Sequence, residues 1–116
     1  MRHQTPAQQR LLTDIQRLLS TLLIRDVADP RLYNISITRL ESPGRQMVDV
    51  WIYRADMEVE DQAVALKALE RMTPHFEHEL RRALPKRRLP KLRFKWDKAF
   101  EKSGDVLMML RRLEES

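Results

Sequence analysis

The sequence predicts a small α+β domain in which a three-stranded sheet carries helices on one face. Three observations predict this fold class. The N-terminal segment repeats leucine and isoleucine at helical spacing, three later segments alternate apolar with polar residues, and a long helical pattern separates the second of these from the third. At 116 residues the chain has the size of one domain. We therefore expect residues 1–116 to form a single domain, with residues 99–116 as a C-terminal extension helix.

The first helix has a clear start and end in the sequence. Thr5 is suited to cap the first turn, Pro6 to occupy the first helical position, and Gln8 to complete a capping box. Pro30 ends the helix, because the residue before a proline is pushed out of the helical conformation. Seven apolar residues between these signals form one face: Leu11, Leu12, Ile15, Leu18, Leu19, Leu22 and Leu23.

Three strands are predicted from alternating apolar and polar residues. The segments Tyr33–Leu40 and Gln46–Tyr53 are expected to pair as a hairpin around the turn signal Ser42–Gly44. The segment Lys91–Asp97 is expected to be the third strand, which must cross over from the preceding helices to join the sheet. Its Leu92, Phe94 and Trp96 should face the helices.

Two helices between the second and third strands are expected to meet at a sharp kink formed by Met72, Thr73 and Pro74. Pro74 has no backbone N–H and its ring clashes with the preceding turn. Thr73 would then cap a second helix in which Pro74 is the first residue. The predicted order is helix, strand, strand, helix, helix, strand, followed by the C-terminal helix.

Ser103 is expected to cap the C-terminal helix, whose apolar residues include Val106, Leu107, Leu110 and Leu113. Two roles remain open for this stripe. It either packs on the domain's own core or, because methionine-rich faces adapt readily, docks a protein partner through the segment Leu107–Leu110.

Positive charge is concentrated in one segment. Nine of the eighteen residues from Arg81 to Lys98 are lysine or arginine, and only Asp97 opposes them. The segment carries +8 whereas the whole chain carries +5, so the remainder is net negative. A concentrated positive surface is typical of proteins that bind polyanions, because cations beside phosphates release counterions. Interspersed leucine and aromatic residues indicate a folded surface and not a solvated tail.

The candidate RNA contacts follow from this segment. They are Arg81, Arg82, Lys86, Arg87, Arg88, Lys91, Arg93 and Lys95, with Arg31 and Trp51 as weaker candidates. Arginine suits this role because its planar guanidinium grips phosphate oxygens in pairs. One or two of these cations would suffice to complement a helix dipole, and five lie within Arg81–Arg88. For Arg31, an equally good alternative is a hydrogen bond to a nearby carbonyl or to Asp26.

The outer sheet face leaves two possibilities open. Trp51 and Tyr53 should share it with Arg93 and Lys95, and aromatic rings beside cations are suited to stacking on bases. Alternatively, the C-terminal helix folds over this face and covers the rings.

Several function classes find no support in the sequence. The chain has no cysteine and only two glycines, which leaves no thiolate ligand, no cysteine nucleophile and no glycine-rich phosphate cradle. His75, His78 and Glu79 have helical spacing, but no further histidine or cysteine is suggested nearby, so we predict no metal site. No nucleophile motif or membrane-spanning apolar run occurs, and we expect neither an enzyme nor a membrane protein. We also expect no cofactor and no small-molecule substrate.

The predicted order matches the type II KH fold, and the chain more narrowly resembles the bacterial ribosome-binding factor A family along most of its length. The matching segments are Asp29–Leu32, Asp49–Tyr53, Lys67–Leu69, Pro90–Phe94 with Asp97, and Gly104 followed by Leu107–Leu113. The resemblance implies a monomeric, non-enzymatic protein of the bacterial cytoplasm without a cofactor. Such proteins bind the immature small ribosomal subunit and assist late processing and folding of its rRNA.

The chain departs from this family at the kink. The family has Ala-x-Gly there, and the matching positions here are Met72, Thr73 and Pro74. Because a proline offers neither an amide nor a bare backbone, RNA contact is expected through the side chains of Arg81–Arg88 instead.

Three alternatives to this interpretation remain open. The chain could be a general nucleic-acid-binding module that also binds DNA, or a protein–protein adaptor that uses the aromatic face and the terminal helix. An Arg-rich, amphipathic start over residues 1–25 also resembles an organellar transit peptide. A structural helix is preferred there, because its loss would remove the longest apolar stripe of the chain.

Overall fold

The fold is that of a computed structural model, which describes residues 5–44 and 46–101. Within these residues helix α1 spans Pro6–Arg25, strand β1 Ser36–Glu41, strand β2 Met47–Tyr53, helix α2 Val59–Ala83 and strand β3 Lys91–Trp96. A short 3₁₀ helix, Pro30–Leu32, follows α1. The α+β class with a three-stranded sheet is confirmed. No helix in this part of the chain has the length and apolar character to cross a membrane.

The sheet has the order β1-β2-β3. Strands β1 and β2 are antiparallel neighbours, and β3 lies parallel to β2, so α2 forms the predicted crossover. Both helices pack on one face, which carries Val48, Val50 and Ile52 of β2 and Leu92, Phe94 and Trp96 of β3, all buried. From the helices, Ile15, Leu19, Leu69, Phe76 and Leu80 complete the core.

The start of α1 is as the sequence predicts. The Thr5 hydroxyl accepts from the Gln8 amide at 3.2 Å, and the Gln8 side-chain oxygen accepts from the Thr5 amide at 2.9 Å. The helix ends at Arg25, four residues before Asp29. The Asp29 carboxylate accepts from the Arg31 amide and thereby caps the 3₁₀ turn that begins at Pro30.

Strand β1 begins later than predicted. Asn34 has a φ of 65°, in the left-handed region, and no extended strand continues through such a residue. Tyr33 is half exposed, and its hydroxyl donates to the Ala28 carbonyl instead of its ring entering the core. The register with β2 shifts between Ile37 and Arg39, which places Thr38 at a bulge.

The predicted pair of helices is one continuous helix, which corrects the expected kink at Met72, Thr73 and Pro74. Helix α2 runs for 25 residues with Pro74 inside it. Thr73 does not act as an N-cap, because its hydroxyl donates to the carbonyl of Leu69, one turn earlier, at 2.9 Å. A single missing backbone bond at Pro74 is tolerated because Phe76 and Leu80, beyond the proline, are fully buried against the sheet.

The predicted C-terminal helix lies mostly outside the described residues, as do Ser103 and the stripe from Leu107 to Leu113. Residues 98–101 are helical. Asp97 caps this turn, since its carboxylate accepts from the Phe100 amide at 3.0 Å. A helical turn therefore begins directly after β3, five residues before Ser103.

Candidate nucleic-acid interface

The basic segment forms one end of the molecule, made of the last turn of α2, the loop of residues 84–90 and the start of β3. Helix α2 closes with the Leu84 amide bonded to the Leu80 carbonyl at 2.9 Å. The Arg87 amide then donates to the Leu84 carbonyl at 3.1 Å, which forms a turn. The Lys91 amide donates to the Gln46 carbonyl at 2.9 Å and starts β3 beside β2. Backbone bonds therefore fix this loop at both ends. We call this region the basic end.

Four cations at the basic end are exposed and have no carboxylate partner among the described residues. They are Arg81, Lys86, Arg88 and Lys91. Arg82 is also exposed and makes only long contacts of 3.3 and 3.4 Å with Glu79, one turn back on the same helix. Exposed ion pairs of this kind are weak and contribute little to the free energy of folding. This end of the molecule therefore presents a set of positive charges that its own carboxylates leave largely uncompensated.

Arg87 differs from its neighbours. Its guanidinium donates to the Asp14 carboxylate of α1 at 2.8 Å, with both side chains about one-third exposed. The bond joins residues that are 73 positions apart in the chain. Arg87 thus ties the loop to α1. Its guanidinium, which was predicted to bind phosphate, is already bound to the Asp14 carboxylate.

Arg93 and Lys95 lie on the outer sheet face, as predicted, and both bind one buried carboxylate. Asp49 is only 4% exposed and accepts from Arg93 at 2.7 Å, with the Lys95 ammonium 3.2 Å away. The hydrogen bond from Arg93 is the main reason that the pKa of Asp49 is lowered, against the opposing effect of burial. The same bond raises the pKa of Arg93. Part of the positive charge of Arg93 and Lys95 is therefore balanced by Asp49. The outer sheet face presents a smaller net charge to a polyanion than the sequence indicates.

Trp51 is half-buried on the same face, between two cations. The Arg39 guanidinium lies 4.5 Å from the centre of the indole ring and the Lys95 ammonium 5.3 Å. Both are within cation–π range. The expected stacking of Trp51 on a base would have to compete with these contacts. The predicted C-terminal helix, which is the alternative cover, falls on residues beyond 101 that the structure does not describe.

Sequence reasoning assigned no role at this site to Arg39 or to the buried carboxylates of Asp49 and Asp97. Arg39 also pairs with Glu41 at 2.7 Å and approaches Asp97 at 3.4 Å. Burial would raise the pKa of Asp97, but hydrogen bonds from the Thr38 hydroxyl and the Phe100 amide lower it overall. An acidic residue at an outward strand position next to several cations was the available signal, and only strand register shows which of them pair.

Arg31 does not join the basic end. Its guanidinium binds Asp29 through two nitrogens, the shorter contact being 2.7 Å, so its partner is neither Asp26 nor a carbonyl. Arg31 lines a separate cavity of about 320 Å³ with Arg54, Asp56 and Met57. This cavity shares no lining residue with the cavities at or beside the basic end.

His75 is placed for a structural role. The His75 Nε2 atom lies 2.7 Å from the Asp26 carboxylate, which also accepts from Arg25. This contact joins the end of α1 to the middle of α2. Hydrogen bonds from Arg25 and then from His75 lower the pKa of Asp26. Within residues 5–44 and 46–101, no three histidine or acidic side chains converge as a metal site would require.

Comparison with known proteins agrees with this architecture. The fold is a KH-like α+β domain with a concentrated cationic surface at one end. The family model described as Ribosome-binding factor A matches residues 7–110, and the chain belongs to that family. A ribosome-binding factor A from Coxiella burnetii is 31% identical over 106 residues, which cover 90% of this chain and 87% of the relative. One from Thermomicrobium roseum is 31% identical over 111 residues, with 93% and 84% covered.

One solved structure and one fitted homology model are similar in fold. The crystal structure of ribosome-binding factor A from Thermus thermophilus superposes with a TM-score of 0.63 at 28% identity, covering 76% of this chain and 92% of that one. A homology model of the Thermus thermophilus protein, fitted into a cryo-EM map of a 30S–RbfA complex, gives 0.62 at 27% identity, with 77% and 93% covered.

Proposed function

We propose that this protein is a non-enzymatic, RNA-binding assembly factor of the bacterial cytoplasm. It binds the immature small ribosomal subunit and assists late maturation of its rRNA. The observation that carries the proposal is the cluster of uncompensated cations at the basic end: Arg81, Lys86, Arg88 and Lys91. Membership of the ribosome-binding factor A family and the similarity to a protein fitted into a 30S complex support the choice of partner.

The mechanism we propose is positional. The basic end neutralises phosphates and holds one conformation of the rRNA, and the bond between Arg87 and Asp14 keeps the loop in place while it does so. The cations that grip phosphate are Arg81, Lys86, Arg88 and Lys91, with Arg82 beside them. A protein of this kind acts by differential affinity, because it favours the state of the particle that it binds more tightly. Release then follows when the mature subunit no longer offers the same RNA surface.

Co-sedimentation tests the proposal. The purified protein is spun with free small subunits, whole ribosomes and naked duplex DNA at several salt concentrations. We expect retention on free small subunits at moderate salt and loss of that retention in the charge-reversed variant Arg88→Glu. A matched control is Arg71→Glu, which reverses an exposed arginine on α2 outside the basic end. Equal, salt-labile binding to all three partners would leave only a general polyanion binder. Salt-insensitive binding to a protein partner would favour the adaptor function instead.

A further inference from the structure

A small apolar pocket lies beside the basic end. Its volume is about 190 Å³, and its walls include Leu11 and Leu12 of α1 and Pro90 of the loop, with Gln8 and Ser42 as polar groups. Both leucines are only partly buried, because one side of each packs against the core and the other side lines the pocket. We call this the α1 pocket.

Arg88 lies between the α1 pocket and a larger open groove. It lines both, and the groove, of about 950 Å³, is also lined by Lys91, Leu89, Met47 and Gln46. Arg88 and Lys91 are exposed and have no carboxylate partner in the described part of the chain. An apolar pocket and a groove lined by two cations therefore share one arginine as their common wall.

The polar groups of the pocket have hydrogen-bonding capacity left. The Gln8 side-chain oxygen is taken by the Thr5 amide, while its NH₂ group has no acceptor among the described residues. The Ser42 hydroxyl donates to the Gly44 carbonyl at 2.6 Å, which leaves its oxygen lone pairs to accept. The pocket thus offers both a donor and an acceptor beside its apolar walls.

We propose that the α1 pocket takes the base of one unpaired RNA nucleotide whose phosphates lie against Arg88 and Lys91. A nucleotide combines a flat ring, polar at its edge, with an adjacent phosphate anion. The apolar pocket with its polar groups matches the ring, and the neighbouring groove with Arg88 and Lys91 matches the phosphate. The pocket is smaller than the roughly 300 Å³ at which sites for drug-sized ligands begin, so it has room for a single ring system. The inference rests on the proposed function and deepens it: the RNA that is recognised contains a bulged or looped-out base, not a continuous duplex.

Three RNA hairpins that share one stem sequence and differ only at a bulge test this inference without any protein variant. The first carries a single bulged adenosine, the second carries an abasic residue at that bulge, and the third is fully paired. The first two have the same number of phosphates, so their difference isolates the base. We expect the wild-type protein to bind the bulged adenosine about tenfold more tightly than the abasic bulge in a fluorescence anisotropy titration. Equal affinity for these two hairpins would overturn the inference.

A filled pocket gives the matching protein test. Leu11→Trp places a larger side chain in the pocket, and Leu18→Trp makes the same change at a half-buried position of α1 outside it. Leu11→Trp should abolish the preference for the bulged base and keep the affinity for the paired hairpin, while Leu18→Trp keeps both. Thermal unfolding of each variant confirms that it is folded. A bulge preference that survives in folded Leu11→Trp would place the base elsewhere.

The same proteins are tested for retention on free small subunits, which separates the two proposals. Retention without any preference for the bulged base removes the pocket inference and leaves the proposed function. Preference for the bulged base without retention on subunits removes the proposed function and keeps the pocket as an RNA site.

Discussion

Two adjacent arginines provide the sharpest test of how this protein binds RNA. Arg87 and Arg88 are indistinguishable in the sequence, yet Arg87 is bonded to Asp14 at 2.8 Å and Arg88 has no such partner among the described residues. The change to make is Arg88→Gln in one protein and Arg87→Gln in another. Each removes one positive charge and leaves a shorter, neutral but still polar side chain. Only Arg88→Gln should remove a phosphate contact.

The expected magnitude comes from counterion release. The logarithm of the binding constant falls against the logarithm of salt with a slope of about −0.7 to −0.9 for each phosphate that a cation neutralises. The four uncompensated cations therefore predict a slope of about −3 for wild type. Arg88→Gln should make the slope shallower by roughly 0.7–0.9. Arg87→Gln should leave it nearly unchanged, because Asp14 already balances that charge, but it should lower the thermal stability by releasing the loop from α1.

The assay is a fluorescence anisotropy titration of a labelled hairpin from small-subunit rRNA between about 50 and 200 mM salt. Asp14→Asn is the reciprocal variant. It frees Arg87 for phosphate, so the slope should become steeper by roughly 0.7–0.9. Equal changes in slope for Arg87→Gln and Arg88→Gln would refute the reasoning, since the ion pair with Asp14 would then not withhold Arg87 from RNA.

Three further predictions concern the outer sheet face and α2. Asp49→Asn should lower the free energy of unfolding at neutral pH by about 1–3 kcal/mol, because it weakens the bonds to Arg93 and Lys95, as a denaturant titration would show. Since the pKa of Asp49 is lowered in the folded state, the stabilisation by its carboxylate is present above about pH 4 and is lost as the pH falls further. The difference in free energy of unfolding between wild type and Asp49→Asn should therefore narrow below about pH 4. A difference that stays constant with pH would contradict the role assigned to the Asp49 carboxylate. Pro74→Ala should raise the free energy of unfolding by about 1–3 kcal/mol, because it restores a backbone donor within a continuous helix, and leave the salt slope of RNA binding unchanged; a loss of stability would mean that α2 needs the proline. In the variant Trp96→Phe, where only Trp51 fluoresces, added RNA should quench little of the emission, because Arg39 and Lys95 already occupy the ring; strong quenching would restore Trp51 as a base-stacking residue.

The sequence alone determined the elements whose signals are local. The capping box at Thr5, the apolar stripe of α1 and the alternation in β2 and β3 are properties of neighbouring residues, and each appears in the fold as predicted. Local signals also misled in two places. The proline at position 74 predicted two helices, but burial of Phe76 and Leu80 beyond it outweighs one lost backbone bond. The left-handed residue Asn34 delays β1; asparagine tolerates this conformation better than most residues, but the alternating pattern around it predicted an extended strand.

Only the tertiary structure decided which charges are available. The sequence predicted the basic segment as a whole and could not rank its members, because pairing depends on contacts across long separations. Asp14 reaches Arg87 across 73 positions and Asp49 reaches Arg93 across 44, and both pairings follow from how α1, β2 and β3 are placed. The α1 pocket likewise combines α1, the β1–β2 turn and the loop before β3. Composition fixes how much charge the chain carries, whereas packing fixes which cations remain free to meet a phosphate.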